Sequence, residues 1–321
     1  MVAAIRLLLL CVVPLACLAQ EAFPSKPIRL IVSFTPGGGA DLTGRAVAQK
    51  MSEQLKQPIV VENRPGANGS IGAAAVASAA PDGYTLLLTD RGALGVNPSL
   101  YRALPYDPLK DFEYIGIATV APYVLVADPK LGAKTVAELV ALAKANPGKI
   151  NYASFGIASM AQLNIEALKT RLAIDLVHVP YKGAGPAVQG VVSGDAGVTI
   201  ASPAGVLGFI RDGRLRALAI SSPKRSPLLP EVPTLAEAGA GEDTMASTYF
   251  ALALPAATPR PIAQRLHSEM ARALAQPDLA ERLNAGGLEP AASTGDELLQ
   301  LVRKDIPRFR KLIDDIGIKP E

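Results

Sequence analysis

Cysteine, tryptophan and histidine are nearly missing from this chain, and each shortage removes a class of function. The 321 residues contain two cysteines, two histidines and no tryptophan. The cysteines, Cys11 and Cys17, lie close to the N-terminus. The rest of the chain therefore has no disulfide, no thiolate metal site and no cysteine nucleophile. No His, Cys and carboxylate cluster has metal-ligand spacing, so neither a metal nor another cofactor is expected. Aromatics make up 5% of the residues, too few for the stacking platforms that hold bases or sugars. Lys and Arg number 32 against 29 Asp and Glu, with no clustered basic face for nucleic acid. Beyond the first residues, no apolar run approaches the ~20 residues that span a bilayer.

What is present begins with an export signal. Arg6 supplies a positive start, Leu7 to Leu18 is apolar apart from Pro14, and Ala19 is a small residue suited to cleavage. Residues 1–19 are expected to be a signal peptide, which implies a periplasmic destination. Lipid anchoring at Cys17 is disfavoured, because Pro14 stands where a leucine-like residue would be wanted. About 300 residues remain, enough for two domains of ordinary size.

Those residues read as alternating strands and helices. Ile28 to Phe34 is a nearly continuous apolar run, the pattern of a buried parallel strand. Pro36-Gly37-Gly38-Gly39 makes a turn, and Leu42, Ala46, Val47, Met51 and Leu55 recur at helical spacing. Strands over Ile59 to Val61 and Tyr84 to Leu88 flank an alanine-rich helix over Ser70 to Ala80. A second series follows, with strands at Tyr123 to Ala127, Ile150 to Ala153, Leu176 to Val179, Ala196 to Ile200 and Leu215 to Ile220. Its helices run over Val136 to Ala145, Ala161 to Arg171, Gly185 to Val192 and Gly205 to Arg211. Tyr249 to Leu254 is a last strand before a helical C-terminal third. The expectation is an α/β protein of two lobes, residues 23–122 plus 247–321 and residues 123–246. Two crossovers, near Pro122 and Ser247, would frame a cleft.

Ligands of open α/β sheets bind beyond the carboxyl ends of the strands. Four loops meet that description. Phe34 to Asp41, with Pro36, Gly38, Gly39 and Ala40, brings backbone amides and a helix N-terminus to an anion; its bland alternative is a tight turn with Asp41 as helix cap. Thr89, Asp90 and Arg91 leave the strand before them, and Arg91 could grip a carboxylate bidentately or pair locally. Successive residues point to opposite sides, so Asp90 and Arg91 are not expected to face the cleft together. Ser154, Phe155 and Ser159 open a helix with hydroxyls. Tyr181, Lys182, Gly183, Gly185, Pro186 and Ala187 open another, where a solvated Lys182 is the ordinary outcome. Together these loops describe a clamp for a small anion.

Enzymatic readings are weaker. His178 reads as a strand histidine and His267 as part of an amphipathic helix. Ser221-Ser222-Pro223-Lys224 has Ser-x-x-Lys spacing, yet a proline follows where the motif needs a helix. A dinucleotide fold for an NAD-dependent oxidoreductase would need a third glycine where Leu42 stands.

Ordered segments along the whole mature chain resemble the substrate-binding proteins of tripartite tricarboxylate transporters, the Bug-type receptors. They include Pro27-Ile28-Arg29-Leu30-Ile31-Val32, Pro36-Gly37-Gly38-Gly39-Ala40-Asp41, Val61-Glu62-Asn63-Arg64-Pro65-Gly66-Ala67 and Ala80-Pro81-Asp82-Gly83-Tyr84. Asn97-Pro98-Ser99-Leu100-Tyr101, Val179-Pro180-Tyr181-Lys182-Gly183, Arg214-Leu215-Arg216-Ala217-Leu218-Ala219 and Pro230-Glu231-Val232-Pro233-Thr234 follow in order. The resemblance implies a periplasmic binding-protein fold of type II and capture of a small organic acid or amino acid for membrane permease subunits. It implies binding at the four loops above and at Ala201, by backbone amides and bridging waters. A signalling receptor with the same binding step is the alternative role, and a monomer the expected state. The chain departs from the family at Asp90 and Arg91, where small hydroxyl residues are common. It departs also at Ala158, Gln162, Gly197 and Ala201. Arg91 hints at an extra acidic group on the ligand, Asp90 at an amine if it faces inward, and Phe155 at a ring.

Overall fold

The computed structural model describes residues 23–242 and 244–319. The signal-peptide and Cys17 readings lie outside the described residues. Two sheets carry the fold. The first has the order β11-β4-β10-β3-β1-β2, from β1 (Ile28–Val32), β2 (Ile59–Asn63), β3 (Thr85–Asp90), β4 (Phe112–Ala121), β10 (Thr248–Pro255) and β11 (Glu289–Pro290). The second has the order β7-β6-β8-β5-β9, from β5 (Val124–Ala127), β6 (Asn151–Ser154), β7 (Val177–Pro180), β8 (Val198–Ala201) and β9 (Arg216–Ile220). Helices α1 (Gly39–Leu55), α2 (Ser70–Ala77), α3 (Asn97–Leu100), α8 (Arg260–Leu274) and α9 (Pro277–Ala285) accompany the first sheet. Helices α4 (Val136–Ala145), α5 (Met160–Leu172), α6 (Ala184–Ser193) and α7 (Pro203–Arg211) accompany the second, and α10 (Gly295–Asp315) closes the chain.

The first sheet is mixed rather than wholly parallel. β1 pairs in parallel with β2 and β3, whereas β10 runs antiparallel to both β3 and β4. The physical reason is the path between lobes: β4 carries the chain out of the first lobe and β10 brings it back, so the two run in opposite directions. β4 is a strand that the sequence pattern does not announce. Gly116 sits in its middle at φ 146°, and a Cβ there would lie 1.9 Å from the Ser293 carbonyl oxygen. Only glycine fits where β4 bends past the segment leading into α10.

The cores follow the lobes with one exception. β1, β3, β10, α1 and α8 bury Leu30, Val47, Met51, Leu88, Leu252 and Leu266 on one face of the first sheet. On the other face, Leu298 and Val302 from the first half of α10 join Ile31, Leu87 and Tyr249. The second half of the same helix, through Phe309 and Ile313, packs with Tyr152, Leu163, Leu168 and Ile200 of the second lobe. A division at residue 247 would leave α10 entirely with the first lobe, but the helix spans both cores.

Register fixes which ends of the strands meet. β10 opens immediately after Ser247, where Thr248 pairs with Ala121 and Phe250 with Asp90. The carboxyl end of β3, and with it those of β1 and β2, therefore lies at the crossovers. In the second sheet Val124, the first residue of β5, pairs with Ala201 and Ile220, the last of β8 and β9. β6 and β7 run parallel to β8, so their carboxyl ends reach the crossovers too. The loops after β1, β2, β3, β6, β7 and β8 face one another across the junction.

Candidate functional site

The first wall begins where β1 ends. Thr35, Pro36, Gly37 and Gly38 are exposed, and α1 starts on Gly38 as its N-cap with no side-chain cap. Asp41 is not that cap. It lies inside the first turn, buried, where Oδ2 accepts from the Gly37 amide and the Arg45 Nε, each at 3.0 Å, and Oδ1 accepts from Asn63 at 2.9 Å. Burial alone would raise its pKa; the Arg45, Gly37 and Asn63 hydrogen bonds win and hold it below the ordinary carboxylate range. Asp41 thus folds the glycine turn, and the N–H groups at the start of a 17-residue helix stay available at its positive end. Ala40 is buried beneath that turn. Phe34, half-buried, lies under the next loop, where a Cβ on Gly69 would be 3.2 Å from its ring.

That next loop was not singled out from the sequence. Gly66, Ala67, Asn68 and Gly69 all have positive φ before α2 begins. Asn68 donates to Asn97 Oδ1 at 2.8 Å, and Asn97 returns Nδ2 to the Asn68 carbonyl at 3.0 Å and to Ser70 Oγ at 2.9 Å. Pro65-Gly66-Ala67-Asn68-Gly69 carries the signal that could have found it. Beside this loop Thr89 is fully buried, its Oγ1 accepting from Ser33 Oγ at 2.8 Å, so its side chain does not line the cleft. Asp90 is partly exposed. Its Oδ1 accepts from the Ala93 amide at 3.0 Å, and burial pushes its pKa up to about 6.

The second wall repeats the device. α6 starts on Gly183, at φ 114°, again with no side-chain cap, and Ala184, Gly185 and Pro186 are exposed. By contrast α4, α5, α7 and α10 are capped by the hydroxyls of Thr135, Ser159, Ser202 and Thr294. Backbone bonds lace the loops together: Tyr181 donates to the Ser154 carbonyl at 3.0 Å and Gly183 to the Phe155 carbonyl at 3.2 Å. Ser154 is buried, its Oγ 2.6 Å from His178 Nε2 and 3.0 Å from the Gly156 carbonyl, so it shapes the loop from behind. Burial lowers the pKa of His178, against the pull of Glu166. Ser159 caps α5 and donates to the Gly156 carbonyl at 2.7 Å. Tyr181 is half-buried over α6, where a Cβ on Gly190 would be 2.3 Å from its hydroxyl. Ala187 and Ala201 are buried, which removes their side chains from the cleft surface. Phe155 remains partly exposed, 6.4 Å from the Tyr123 ring at the first crossover.

Cavities of about 700 and 680 Å³ lie elsewhere, between β4, α8 and the start of α10, and between α4 and β9. Among the described residues no group of three His, Cys, Asp or Glu side chains is placed to hold a metal ion. No helix among them is long and apolar enough to cross a membrane.

Residues 43–318 match the family model described as the tripartite tricarboxylate transporter family receptor. The chain belongs to that receptor family. BugT of Bordetella pertussis is 38% identical over 305 residues, covering 95% of this chain and 93% of that protein. Among solved structures, an R. palustris protein with adipate has a TM-score of 0.81 at 30% identity, covering 93% of this chain and all of that one. MatC from Rhodopseudomonas palustris with bound malate has a TM-score of 0.75 at 32% identity, covering 91% of this chain and 100% of that one. The two-lobed architecture expected from the sequence is that of these receptors.

One expected contact of the receptor is corrected. Arg91 does not offer its guanidinium to the cleft. It is buried, its Nε donating to Asp305 Oδ2 at 2.8 Å and its NH1 to the Ser247 carbonyl, with the guanidinium 4.9 Å from the Tyr249 ring centroid. Asp305 lies on α10, 214 residues away in sequence, and nothing local forecasts the pair. The receptor's crossovers are tied to it. Ser221 Oγ accepts from the Tyr123 amide at 2.8 Å and lies 3.0 Å from Ser247 Oγ, so one serine links both crossovers. Asn164 of α5 clamps Ala246 with two hydrogen bonds, at 3.0 and 2.8 Å. Ser247 therefore sits between a residue held by the second lobe and a carbonyl held by Arg91 of the first.

Proposed function

We propose that this chain is an exported, periplasmic and non-catalytic receptor that captures a small carboxylate between its lobes and delivers it to membrane permease subunits. The observation that carries the reading is the pair of glycine-capped helix starts, at Gly37 to Ala40 and Gly183 to Pro186. Each offers unpaired backbone amides and a positive dipole end at the carboxyl edge of its sheet. Two such ends suit a ligand with an acidic group, and the adipate and malate of the structural relatives are ligands of that kind. Asp41, Ser154 and Ser159 hold the loops in shape, while Phe34 and Phe155 flank the ligand. A ligand that touches both walls stabilises the closed arrangement by its differential affinity for it, and the permease reads that state. The mature receptor works as a monomer and without a cofactor.

The test is a thermal-shift screen of the chain lacking residues 1–19 against aliphatic and aromatic carboxylates, amino acids and NAD. A ligand at a hundred times its dissociation constant adds about 2.7 kcal/mol of stability. A shift with a carboxylate is expected. A shift with NAD alone would overturn the receptor reading.

A further inference from the structure

The cleft floor holds a carboxylate whose obvious counter-ion has been taken away. Asp90 ends β3 beside the crossovers, and the next residue, Arg91, turns in the opposite direction to pair with Asp305. Among the ion pairs of the described residues none includes Asp90, and that of Arg91 is with Asp305. Around Asp90 lie the Ala93 amide at 3.0 Å, the carboxamide of Asn68 across Gly92, and the phenols of Tyr106, Tyr123 and Tyr249, near enough to feel its charge; Arg91, paired with Asp305, acts on Asp90 through its charge without forming an ion pair with it. Gly92 keeps the approach open, since a Cβ there would come within 3.1 Å of both Asp90 Oδ1 and Asn68 Nδ2. Burial raises the pKa of Asp90, and the charge of Arg91 and the backbone amides that it accepts from only partly oppose the rise. Closing the lobes over the site would strip water from this group further, and a carboxylate brought out of water without a cation is strongly unfavourable.

We infer that Asp90 selects a ligand that carries a protonated amine as well as its carboxylate. The inference rests on the reading of the cleft as a carboxylate site and adds to it the second pole of the ligand. The helix starts of α1 and α6 take the acid, and Asp90 takes the ammonium group by a charge-assisted hydrogen bond. Capping the turn over Gly92–Val96 does not require the charge, because a neutral side-chain oxygen accepts the Ala93 amide equally well.

The experiment compares matched acids by calorimetric titration of the chain lacking residues 1–19: aspartate and glutamate against succinate and glutarate, with 4-aminobutyrate and butyrate as a monoacid pair. At neutral pH at least one amine-bearing acid should bind tenfold or more tightly than its amine-free partner. Asp90→Asn, which keeps the cap and removes the charge, should erase that preference. Binding of the amine-free acids with no gain from the amine overturns the inference and leaves the carboxylate reading standing. Binding of no acid in the series overturns both. A wild-type preference that survives unchanged in Asp90→Asn assigns the selection to another residue.

Discussion

Removing the Asp305 carboxylate should unfold the receptor at markedly lower temperature, because it leaves Arg91 charged and buried without the carboxylate it pairs with. The side chains are 10% and 3% exposed in the pair, so water cannot replace the missing partner. Breaking a buried pair from one side costs ~3–5 kcal/mol. At ~2 °C per kcal/mol for a chain of this length, Asp305→Ala should lower the melting point by roughly 6–10 °C. The converse variant, Arg91→Ala, has a different pH signature. Burial already pushes the Asp305 pKa up, with Arg91 working against it. Without Arg91 the folded-state pKa rises further above its unfolded value, so the folded protein holds a proton that the unfolded chain releases. The penalty of Arg91→Ala is therefore small near pH 4 and grows as pH rises, while that of Asp305→Ala is largest at low pH and shrinks as pH rises through the raised folded-state pKa of Asp305. The double variant Arg91→Met/Asp305→Leu removes both charges and should recover most of the loss. Chemical denaturation at pH 5 and pH 8 reads all four proteins. A loss under about 1 kcal/mol for Asp305→Ala would refute the reasoning, since only a guanidinium free to reach solvent behaves so mildly. It would return Arg91 to the list of groups able to face a ligand.

Three further outcomes follow from the same geometry. Asp90→Asn should stabilise the ligand-free protein at pH 7.5 by up to about 3 kcal/mol, the cost of ionising a carboxylate whose pKa is near 6 instead of 3.8; near pH 4, where the folded group is protonated, wild type and variant should melt together, and a gain that persists there would trace to packing instead of charge. Gly38→Ser adds a hydroxyl cap to α1 at an extended position, φ −84° and ψ 176°, so it should raise stability by a few tenths of a kcal/mol while weakening binding of any carboxylate ligand by competing for the same amides; unchanged affinity in calorimetry would remove the α1 terminus from the site. Asn164→Leu strands the amide and carbonyl of Ala246, both buried at the second crossover, and urea denaturation should register a loss of roughly 2–4 kcal/mol.

The division between what the residue order discloses and what it hides has a physical cause. Strands such as Ile28–Val32 are visible because burial on both faces demands a continuous apolar run. The loops Gly37 to Gly39 and Gly183 to Gly185 are visible because turns that pass through positive φ, as at Gly37 and Gly183, call for glycine, and glycine shows in a sequence. Side-chain partners leave no such trace. Thr89 and Ala187 lie in the expected loops, yet the pleat and the helix turn them inward, and Arg91 is claimed by a residue that only tertiary packing brings near. Phe112–Ala121 hides for a related reason, since Gly116, read locally, breaks a strand, and the close approach of Ser293 that requires it is remote. The consequence reaches function. Backbone amides at a glycine turn donate to any acidic group alike, so on the proposed reading they do not by themselves choose between acids such as the adipate and malate of the structural relatives. Discrimination has to reside in the side chains between the helix ends. On the proposed reading the side chain that discriminates is Asp90, which forms no ion pair among the described residues because Arg91 beside it pairs with Asp305.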